Sequence, residues 1–327
     1  MRAPPHFPKN SRVTDPTPIP EADELATAQY PGARLPDRRR TVASVGVNLA
    51  VSEWGDSAAP VILCSHGGFD FTGTFDVFAP LLADAGWRVV VWDQRGHGDS
   101  DHTPLYSWDA DIRDLLNVLD STTQGPAVLL GHSKGGSIST HAIQAAPHRA
   151  RAFVNIDGMP SHRPPPDVAD HERTKLLETE LSGWLDHRRA AAAKVRRADT
   201  LAGLADRRGR MNPRLSRAWL RYLVTRGARR DSDGWRWKID PVLRPGGFGP
   251  WRAQWSMARL ASLPVPLLGL LATESEPMGW ETRASEVKPY LPPRAEVVQM
   301  DGVGHFIHIE QPQRTAALVL DFLRSVT

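Results

Sequence analysis

The 327-residue sequence has few of the features that mark metal-binding, nucleotide-binding or disulfide-stabilised proteins. Its one cysteine, Cys64, cannot form a disulfide within the chain, and its position in an apolar run favours a packing role over a nucleophilic one. The sequence contains no zinc-ligand spacing, phosphate-binding loop, dinucleotide-binding glycine pattern or aromatic-basic RNA motif. We therefore expect no metal, no cofactor and no nucleic-acid partner.

Long apolar stretches are also missing. No run approaches the roughly 18 uninterrupted apolar residues of a membrane-spanning helix, so no membrane span is expected. No apolar segment with a small-residue cleavage site stands near the N-terminus, which makes the cytoplasm the expected compartment. The net charge of +3 is only mildly basic and calls for no polyanionic partner. The sequence leaves a homo-oligomer open.

Short runs of Val, Ile and Leu alternate with helical spacing of apolar residues along much of the chain. The runs that we expect to be strands are residues 41–46, 48–54, 61–65, 88–92, 127–130, 152–156, 266–271 and 295–300. Apolar strands without polar interruptions, alternating with helices, are typical of parallel strands that are buried on both faces. This pattern predicts an α/β protein whose sheet is covered by helices on both sides.

Two segments depart from the alternation. Residues 1–38 hold eight prolines and no apolar period, and we expect an extended or disordered arm. Residues 159–260 have helical patterns without a further strand, and residues 227–240 within them are expected to form a turn back toward the core. Residues 39–158 and 261–327 are left as the core.

The segment 159–260 is rich in tryptophan and arginine. Six tryptophans fall between Trp184 and Trp255, and packing within the segment is favoured over contact with a substrate. For its many arginines, which include Arg208 and Arg226, a solvated helix face is favoured. The alternative is a rim that attracts an anionic acyl substrate.

A G-x-S-x-G sequence centred on Ser133 directly follows the apolar run 127–130 and leads into a helical pattern. Glycines at 131 and 135 allow the strand and helix backbones to approach closely around a serine held in a strained turn. Such a turn presents the hydroxyl as a nucleophile, provided that a base takes its proton. Ser133 is therefore the candidate nucleophile.

Two other segments supply the groups that such a serine needs. The strand at 61–65 ends in His66-Gly67-Gly68-Phe69, where backbone N–H groups can face an oxyanion, and we assign the oxyanion hole to the N–H groups of Gly68 and Lys134. Near the C-terminus, His305 follows a strand and two glycines, so its imidazole can swing toward a distant serine. His305 is the candidate general base.

Together with the turn at residues 93–100, these motifs resemble the α/β-hydrolase superfamily, and specifically its serine esterase and lipase-like branch with an inserted helical cap. The resemblance covers roughly residues 40–325. It implies a mostly parallel eight-stranded sheet with helices on both faces, and a cap at residues 159–260. In the same turn, Asp93, Arg95 and His97 are interpreted as residues that fix the loop.

The acid that orients His305 is open in the sequence. Most members of the family carry it after the strand at 266–271, where this chain has Glu274 and Glu276 in place of an aspartate. Some members carry it at the end of the strand at 152–156, where Asp157 stands. We favour Asp157, because a short side chain at a strand end is held more tightly than a glutamate in a polar loop, and Glu276 is the alternative.

These residues predict a serine hydrolase that cleaves carboxylic esters through an acyl-enzyme, with a small-molecule acyl substrate. The resemblance equally covers C–C bond hydrolases, thioesterases, acyltransferases and cofactor-free haloperoxidase-like enzymes, because pocket walls decide among them. Epoxide hydrolases of this fold need a carboxylate nucleophile where this chain has Ser133. A small-molecule binding protein that has lost catalysis is the alternative from another class.

Overall fold

The computed structural model describes residues 28–104, 106–161, 182–183, 185–191, 193, 197–243 and 253–326. Within these residues the chain forms one large sheet and one small hairpin. The strands are β1 (Arg38–Ser44), β2 (Val47–Trp54), β3 (Val61–Ser65), β4 (Arg88–Trp92), β5 (Ala127–His132), β6 (Ala150–Ile156), β7 (Ala228–Asp231), β8 (Gly234–Trp237), β9 (Leu267–Ala272) and β10 (Ala295–Met300).

The large sheet has eight strands in the order β1-β2-β4-β3-β5-β6-β9-β10. β1 pairs with β2 and β2 with β4 in antiparallel fashion, whereas the remaining pairs are parallel. The mostly parallel eight-stranded sheet is therefore confirmed. Because β3, β5, β6 and β9 are neighbours and run in the same direction, the loops that leave their carboxyl ends meet at one edge of the sheet.

Helices cover both faces of this sheet, as predicted. Their bounds are α1 (Phe78–Asp84), α2 (Trp108–Thr122), α3 (Lys134–Ala145), α4 (Leu201–Met211), α5 (Arg217–Gly227), α6 (Ala253–Ala261), α7 (Ala284–Val287), α8 (Ile307–Glu310) and α9 (Pro312–Val326). Apolar residues of α2, α3 and α6 are buried with one face of the sheet. Those of α1 and α9 are buried with the other face. Burial of both faces accounts for the apolar strand sequences.

The chain between β6 and β9, called here the β6–β9 insertion, contributes α4, α5 and α6 and a separate apolar cluster. This cluster includes Trp219 and Leu204 and extends to Phe71 and Phe306 of the core. Trp219 is fully buried in it, whereas Trp184 and Trp251 lie outside the described residues. The insertion thus packs on the core through its own buried side chains.

The expectation of a turn without a further strand at residues 227–240 is wrong. β7 and β8 form an antiparallel hairpin there, with Asp231 paired to Gly234 across a two-residue loop. Arg236 reaches Asp231 at 2.9 Å and thereby links the two strands. The hairpin was missed because its strands have four residues each and consist largely of arginine, tryptophan and aspartate, without the apolar run that marks a buried strand.

Most of the expected arm, residues 1–27, lies outside the described residues. The described end of the arm contacts the β6–β9 insertion, since the ring of Tyr30 lies 4.9 Å from that of Trp219. It also contacts the core, where Arg34 N–H donates to the carbonyl of Asp76 at 2.9 Å. Among the described residues, no helix has the length and apolar character needed to cross a bilayer.

Candidate active site

Ser133 occupies a sharp turn between β5 and α3. Its backbone has φ 53° and ψ −123°, a combination that a residue with a side chain rarely adopts and that costs conformational energy. A Cβ at Gly135 would clash with the carbonyl of Ser65, and one at Gly131 would clash with the Gly135 backbone. The Ser133 N–H donates to the carbonyl of Ile156 at 3.0 Å. The two glycines therefore permit a close strand-to-helix crossing that fixes Ser133 at the sheet edge.

Asp157 and His305 are in direct contact. The Oδ2 atom of Asp157 lies 2.6 Å from Nδ1 of His305, and both side chains are 2% exposed. Oδ1 of Asp157 accepts the N–H of Ala272 of β9 at 3.0 Å, so both carboxylate oxygens are engaged. The His305 carbonyl accepts from the ring of His132 at 2.9 Å. Burial lowers the pKa of His132 to about 3, so this ring is neutral and its Nε2–H can donate.

Glu276, the alternative acid, lies beside the same histidine but contacts its main chain. Its Oε2 atom accepts the backbone N–H of His305 at 2.7 Å. Its other oxygen, Oε1, is buried and has no hydrogen-bond partner among the described residues. Glu276 therefore holds the His305 backbone in place, while the imidazole is oriented by Asp157.

The Ser133 hydroxyl has an unexpected neighbour. The indole Nε1–H of Trp280 donates to Ser133 Oγ at 3.2 Å, which is the hydrogen bond that this hydroxyl makes within the described chain. Ser133 Oγ and the His305 ring are not hydrogen-bonded to each other in this conformation. The two segments are linked through His132, the residue before Ser133, whose ring lies 4.7 Å from the His305 ring. Catalytic hydrogen bonds of this kind often tighten only when substrate binds.

The segment of residues 66–70, called here the 66–70 loop, passes beside Ser133. A Cβ placed on Gly67 would lie 3.2 Å from Ser133 Cβ, and one on Gly68 would lie 4.0 Å from Lys134 Cδ. The N–H of Gly68 donates to no described acceptor. Lys134 is the first residue of α3, so its N–H has no acceptor one turn back in the helix. Neither N–H group of the predicted oxyanion hole therefore has a hydrogen-bond acceptor within the described residues.

The Lys134 side chain turns toward α2. Its ammonium group lies 2.8 Å from Oδ2 of Asp111 and 2.9 Å from Oε1 of Gln94, and it stands over the ring of Trp108. Gln94 in turn donates to the carbonyl of His66 at 2.6 Å. The charge of Lys134 is thus paired with Asp111 and braces the 66–70 loop through Gln94.

Asp93 and Arg95 stabilise loops, as the sequence suggested. The two carboxylate oxygens of Asp93 accept the N–H groups of Thr72 at 2.6 Å and Asp99 at 2.8 Å. Burial raises the pKa of Asp93 to about 6. Arg95 forms two parallel hydrogen bonds with the carboxylate of Asp114, at 2.6 and 2.7 Å. These interactions fix the turn after β4 without contacting Ser133.

His97 connects the same turn to the 66–70 loop. Its Nδ1 lies 3.0 Å from the carbonyl of Arg95, and its Nε2 accepts the N–H of Phe69 at 3.2 Å. Burial holds the pKa of His97 well below its ordinary value, which keeps the ring neutral and Nε2 available as an acceptor. His97 therefore restrains the loop that carries Gly68.

Three residues near Ser133 were missed in the sequence. Trp280 stands in the loop after β9, which has no recognisable pattern. Asp70 and Arg208 form an ion pair between the 66–70 loop and α4. Arg208 could not be told from the other arginines of its segment, because charge patterning alone does not show which arginines turn inward.

Residues 60–312 match the family model of the alpha/beta hydrolase fold. The chain belongs to the alpha/beta hydrolase family. The matched range spans β3 to the start of α9 and contains Ser133, Asp157 and His305.

Individual relatives have low sequence identity to this chain. The sn-1-specific diacylglycerol lipase ABHD11 of Mus musculus is 27% identical over 274 residues, covering 82% of each chain. Epoxide hydrolase A of Mycobacterium tuberculosis is 26% identical over 333 residues, covering 87% of this chain and 96% of its own. Among solved structures, a thioesterase domain from the curacin biosynthetic pathway superimposes with a TM-score of 0.72 at 24% identity, covering 87% of this chain and 99% of that one. The last similarity concerns the fold alone.

Proposed function

We propose that this alpha/beta hydrolase cleaves carboxylic esters of small acyl substrates through an acyl-enzyme on Ser133. The observation that carries the proposal is the 2.6 Å contact between Asp157 and His305, and it is supported by the strained turn that holds Ser133. A carboxylate on Nδ1 fixes the tautomer that leaves Nε2 free to accept a proton, and it stabilises the imidazolium that then forms.

In the first half-reaction, Ser133 Oγ attacks the ester carbonyl carbon while His305 Nε2 takes the hydroxyl proton. The N–H groups of Gly68 and Lys134 bind the resulting oxyanion, a contribution of about 3 to 4 kcal/mol for each such donor in related chemistry. The tetrahedral intermediate collapses when the alcohol leaves with the proton held by His305. Ser133 then carries the acyl group as an ester.

In the second half-reaction, water attacks the acyl carbon and gives a proton to His305. Collapse of the second tetrahedral intermediate releases the carboxylic acid, and the proton returns to Ser133 Oγ. Asp157 orients His305 throughout and takes no part in the proton transfer itself. We further propose that the β6–β9 insertion serves as the cap over this site. Its apolar cluster includes Phe71, which follows the 66–70 loop, and Phe306, which follows His305.

A serine at the turn also bears on the epoxide hydrolases among the relatives. Epoxide opening in this fold uses a carboxylate whose alkyl ester is later hydrolysed, whereas a serine would leave a stable ether. Thioester and C–C bond cleavage would use the same three residues and differ in the pocket walls. Ester cleavage is therefore the proposal, and epoxide opening is disfavoured by the nucleophile.

Labelling with a fluorophosphonate probe tests the nucleophile directly. The wild-type protein should gain one phosphonyl group, located at Ser133 by peptide mass spectrometry, and hydrolyse a series of p-nitrophenyl esters. Ser133→Ala should lose both properties while retaining its thermal unfolding temperature.

Two results would contradict the proposal. Well-folded wild-type protein that neither labels nor turns over any ester of the series would support a binding protein instead. Ester turnover that persists in Ser133→Ala would show that another group performs the chemistry.

A further inference from the structure

Arg208 projects from α4 of the β6–β9 insertion into the 66–70 loop. Its Nη1 donates to the carbonyl of Phe69 at 3.1 Å, and its Nη2 pairs with the carboxylate of Asp70. The side chains of Arg208 and Asp70 are 8% and 2% exposed. The expectation that the arginines of this segment form a solvated face is therefore wrong for Arg208, because a buried carboxylate draws it inward.

The residue that Arg208 holds is strained. Phe69 has φ 60°, in the left-handed region that side chains disfavour. Its N–H is bound by His97 from the core, and its carbonyl is bound by Arg208 from the insertion. A strained conformation persists only where its surroundings over-determine it, and these two hydrogen bonds act on both peptide groups of Phe69.

The strained residue directly follows Gly68, whose N–H is one of the two donors assigned to the oxyanion hole. Glycine at 68 leaves its own backbone conformation weakly determined, so the direction of its N–H depends on how the neighbouring peptides are fixed. An oxyanion donor contributes fully only when it is held in place before the charge develops. Restraint of Phe69 therefore affects the direction of the Gly68 N–H, and with it the strength of the hydrogen bond that this group can donate to an oxyanion.

The same guanidinium reaches the other side of the site. It lies 5.5 Å from the ring centre of Phe306, the residue after His305, in cation–π geometry. One cation of the insertion thus contacts both the 66–70 loop and the segment that carries the proposed base. The described residues offer no second arginine of the insertion with this pair of contacts.

We propose that Arg208 is a positioning residue, which sets the direction of the Gly68 N–H through Phe69 and so makes turnover depend on how the β6–β9 insertion is seated on the core. This inference rests on the proposed ester hydrolysis. It adds that a residue without contact to the reacting atoms, on an element outside the sheet, controls the oxyanion hole.

The test replaces Arg208 by lysine. A lysine can keep the ion pair with Asp70, but it lacks the planar fork that serves two acceptors at once, so the hydrogen bond to Phe69 is lost. We expect kcat for a p-nitrophenyl ester to fall about 100-fold, with KM changed by less than about threefold, because one oxyanion donor is misplaced. Affinity for an alkyl boronic acid, which forms a tetrahedral adduct on Ser133, should fall by the same factor as kcat/KM.

Arg226→Lys is the matched control. Arg226 also extends from the insertion to a buried core carboxylate, with Nε 2.7 Å from Oδ2 of Asp76, but it makes no described contact with the 66–70 loop. Its kcat and boronic acid affinity should stay within about threefold of wild type. If Arg208 had a merely structural role, Arg208→Lys would lower the unfolding temperature, as Arg226→Lys is free to do, but kcat would not differ between the two variants.

The double variant Asp70→Asn with Arg208→Met covers the case in which the lysine variant does not fold. It removes both charges, so neither is left buried and unpaired, and it still lacks the donor to Phe69. The same loss of kcat is expected.

The outcomes are distinct. Wild-type kcat and boronic acid affinity in the folded Arg208 variants, or equal losses in the Arg208 and Arg226 variants, would overturn the positioning role while leaving ester hydrolysis intact. Absence of Ser133-dependent labelling and turnover in the wild-type protein would instead overturn the proposed function, and this inference with it.

Discussion

The choice between Asp157 and Glu276 gives the sharpest prediction, because the structure dictates how an amide would sit at each position. Oδ1 of Asp157 accepts the N–H of Ala272 at 3.0 Å, while Oδ2 faces His305 Nδ1 at 2.6 Å. In Asp157→Asn the amide oxygen must stay opposite the Ala272 N–H, so the NH2 group faces His305. Nδ1 must then act as an acceptor, and the ring proton moves to Nε2.

A histidine protonated at Nε2 cannot take the proton of Ser133. We therefore expect kcat for a p-nitrophenyl ester to fall about 10⁴-fold in Asp157→Asn, equivalent to roughly 5.5 kcal/mol of barrier. In the matched variant Glu276→Gln, the amide oxygen can still accept the His305 backbone N–H that Glu276 binds at 2.7 Å. Its kcat should stay within about tenfold of wild type, because the imidazole keeps its carboxylate.

The assay is steady-state hydrolysis of the two variants, with active enzyme counted by phosphonate titration and folding checked by thermal unfolding. A 10⁴-fold loss in Glu276→Gln together with near-normal activity in Asp157→Asn would refute the reasoning and make Glu276 the acid.

Three further predictions concern stability and the neighbourhood of Ser133. Gly135→Ala should lower the free energy of unfolding by about 3 kcal/mol, because its Cβ meets the Ser65 carbonyl, whereas Gly125→Ala, with no atom nearer than 3.9 Å, should change it by less than about 0.5 kcal/mol in urea titrations. Burial holds the pKa of His308 well below its ordinary value, so the unfolded chain binds one more proton at acidic pH and stability falls as the pH drops below about 6.5. His308→Leu should reduce this loss by about 1.4 kcal/mol per pH unit between pH 6 and 5, and an unchanged slope would show that His308 titrates normally. Phosphonylation of Ser133 should alter tryptophan emission in the wild type and in Trp219→Phe but not in Trp280→Phe, because the Trp280 N–H donates to the oxygen that is modified.

The sheet could be predicted almost completely from the sequence. β3, β4 and β10 have the predicted bounds. For β3 and β4 the reason is that buried strands require apolar runs that begin and end sharply. The β7–β8 hairpin could not be predicted, since it is stabilised by pairing and by the Arg236 ion pairs rather than by a buried face. Periodicity reports burial, and it fails where burial is slight.

For the candidate site, local signals indicated two residues whose backbone conformation is unusual. Ser133 and Asp157 both have positive φ, at 53° and 44°, and both were found from turn chemistry next to a predicted strand. Trp280 lies in an irregular loop, 147 residues after its partner Ser133. Arg208 lies in an ordinary helix, 139 residues after its partner Phe69. Their roles depend on tertiary packing, which no local pattern in the sequence encodes.

The origin of the Asp157 carboxylate has a consequence for how this protein can diversify. Because the charge partner of His305 comes from the end of β6, the segment 273–282 after β9 does not need to hold an acid at a fixed distance from His305. It supplies instead a main-chain anchor in Glu276 and an aromatic wall in Trp280. Changes of length or composition between residues 277 and 281 should therefore alter substrate preference while the contact between Asp157 and His305 is kept. A mutational library for new substrates should start with this segment.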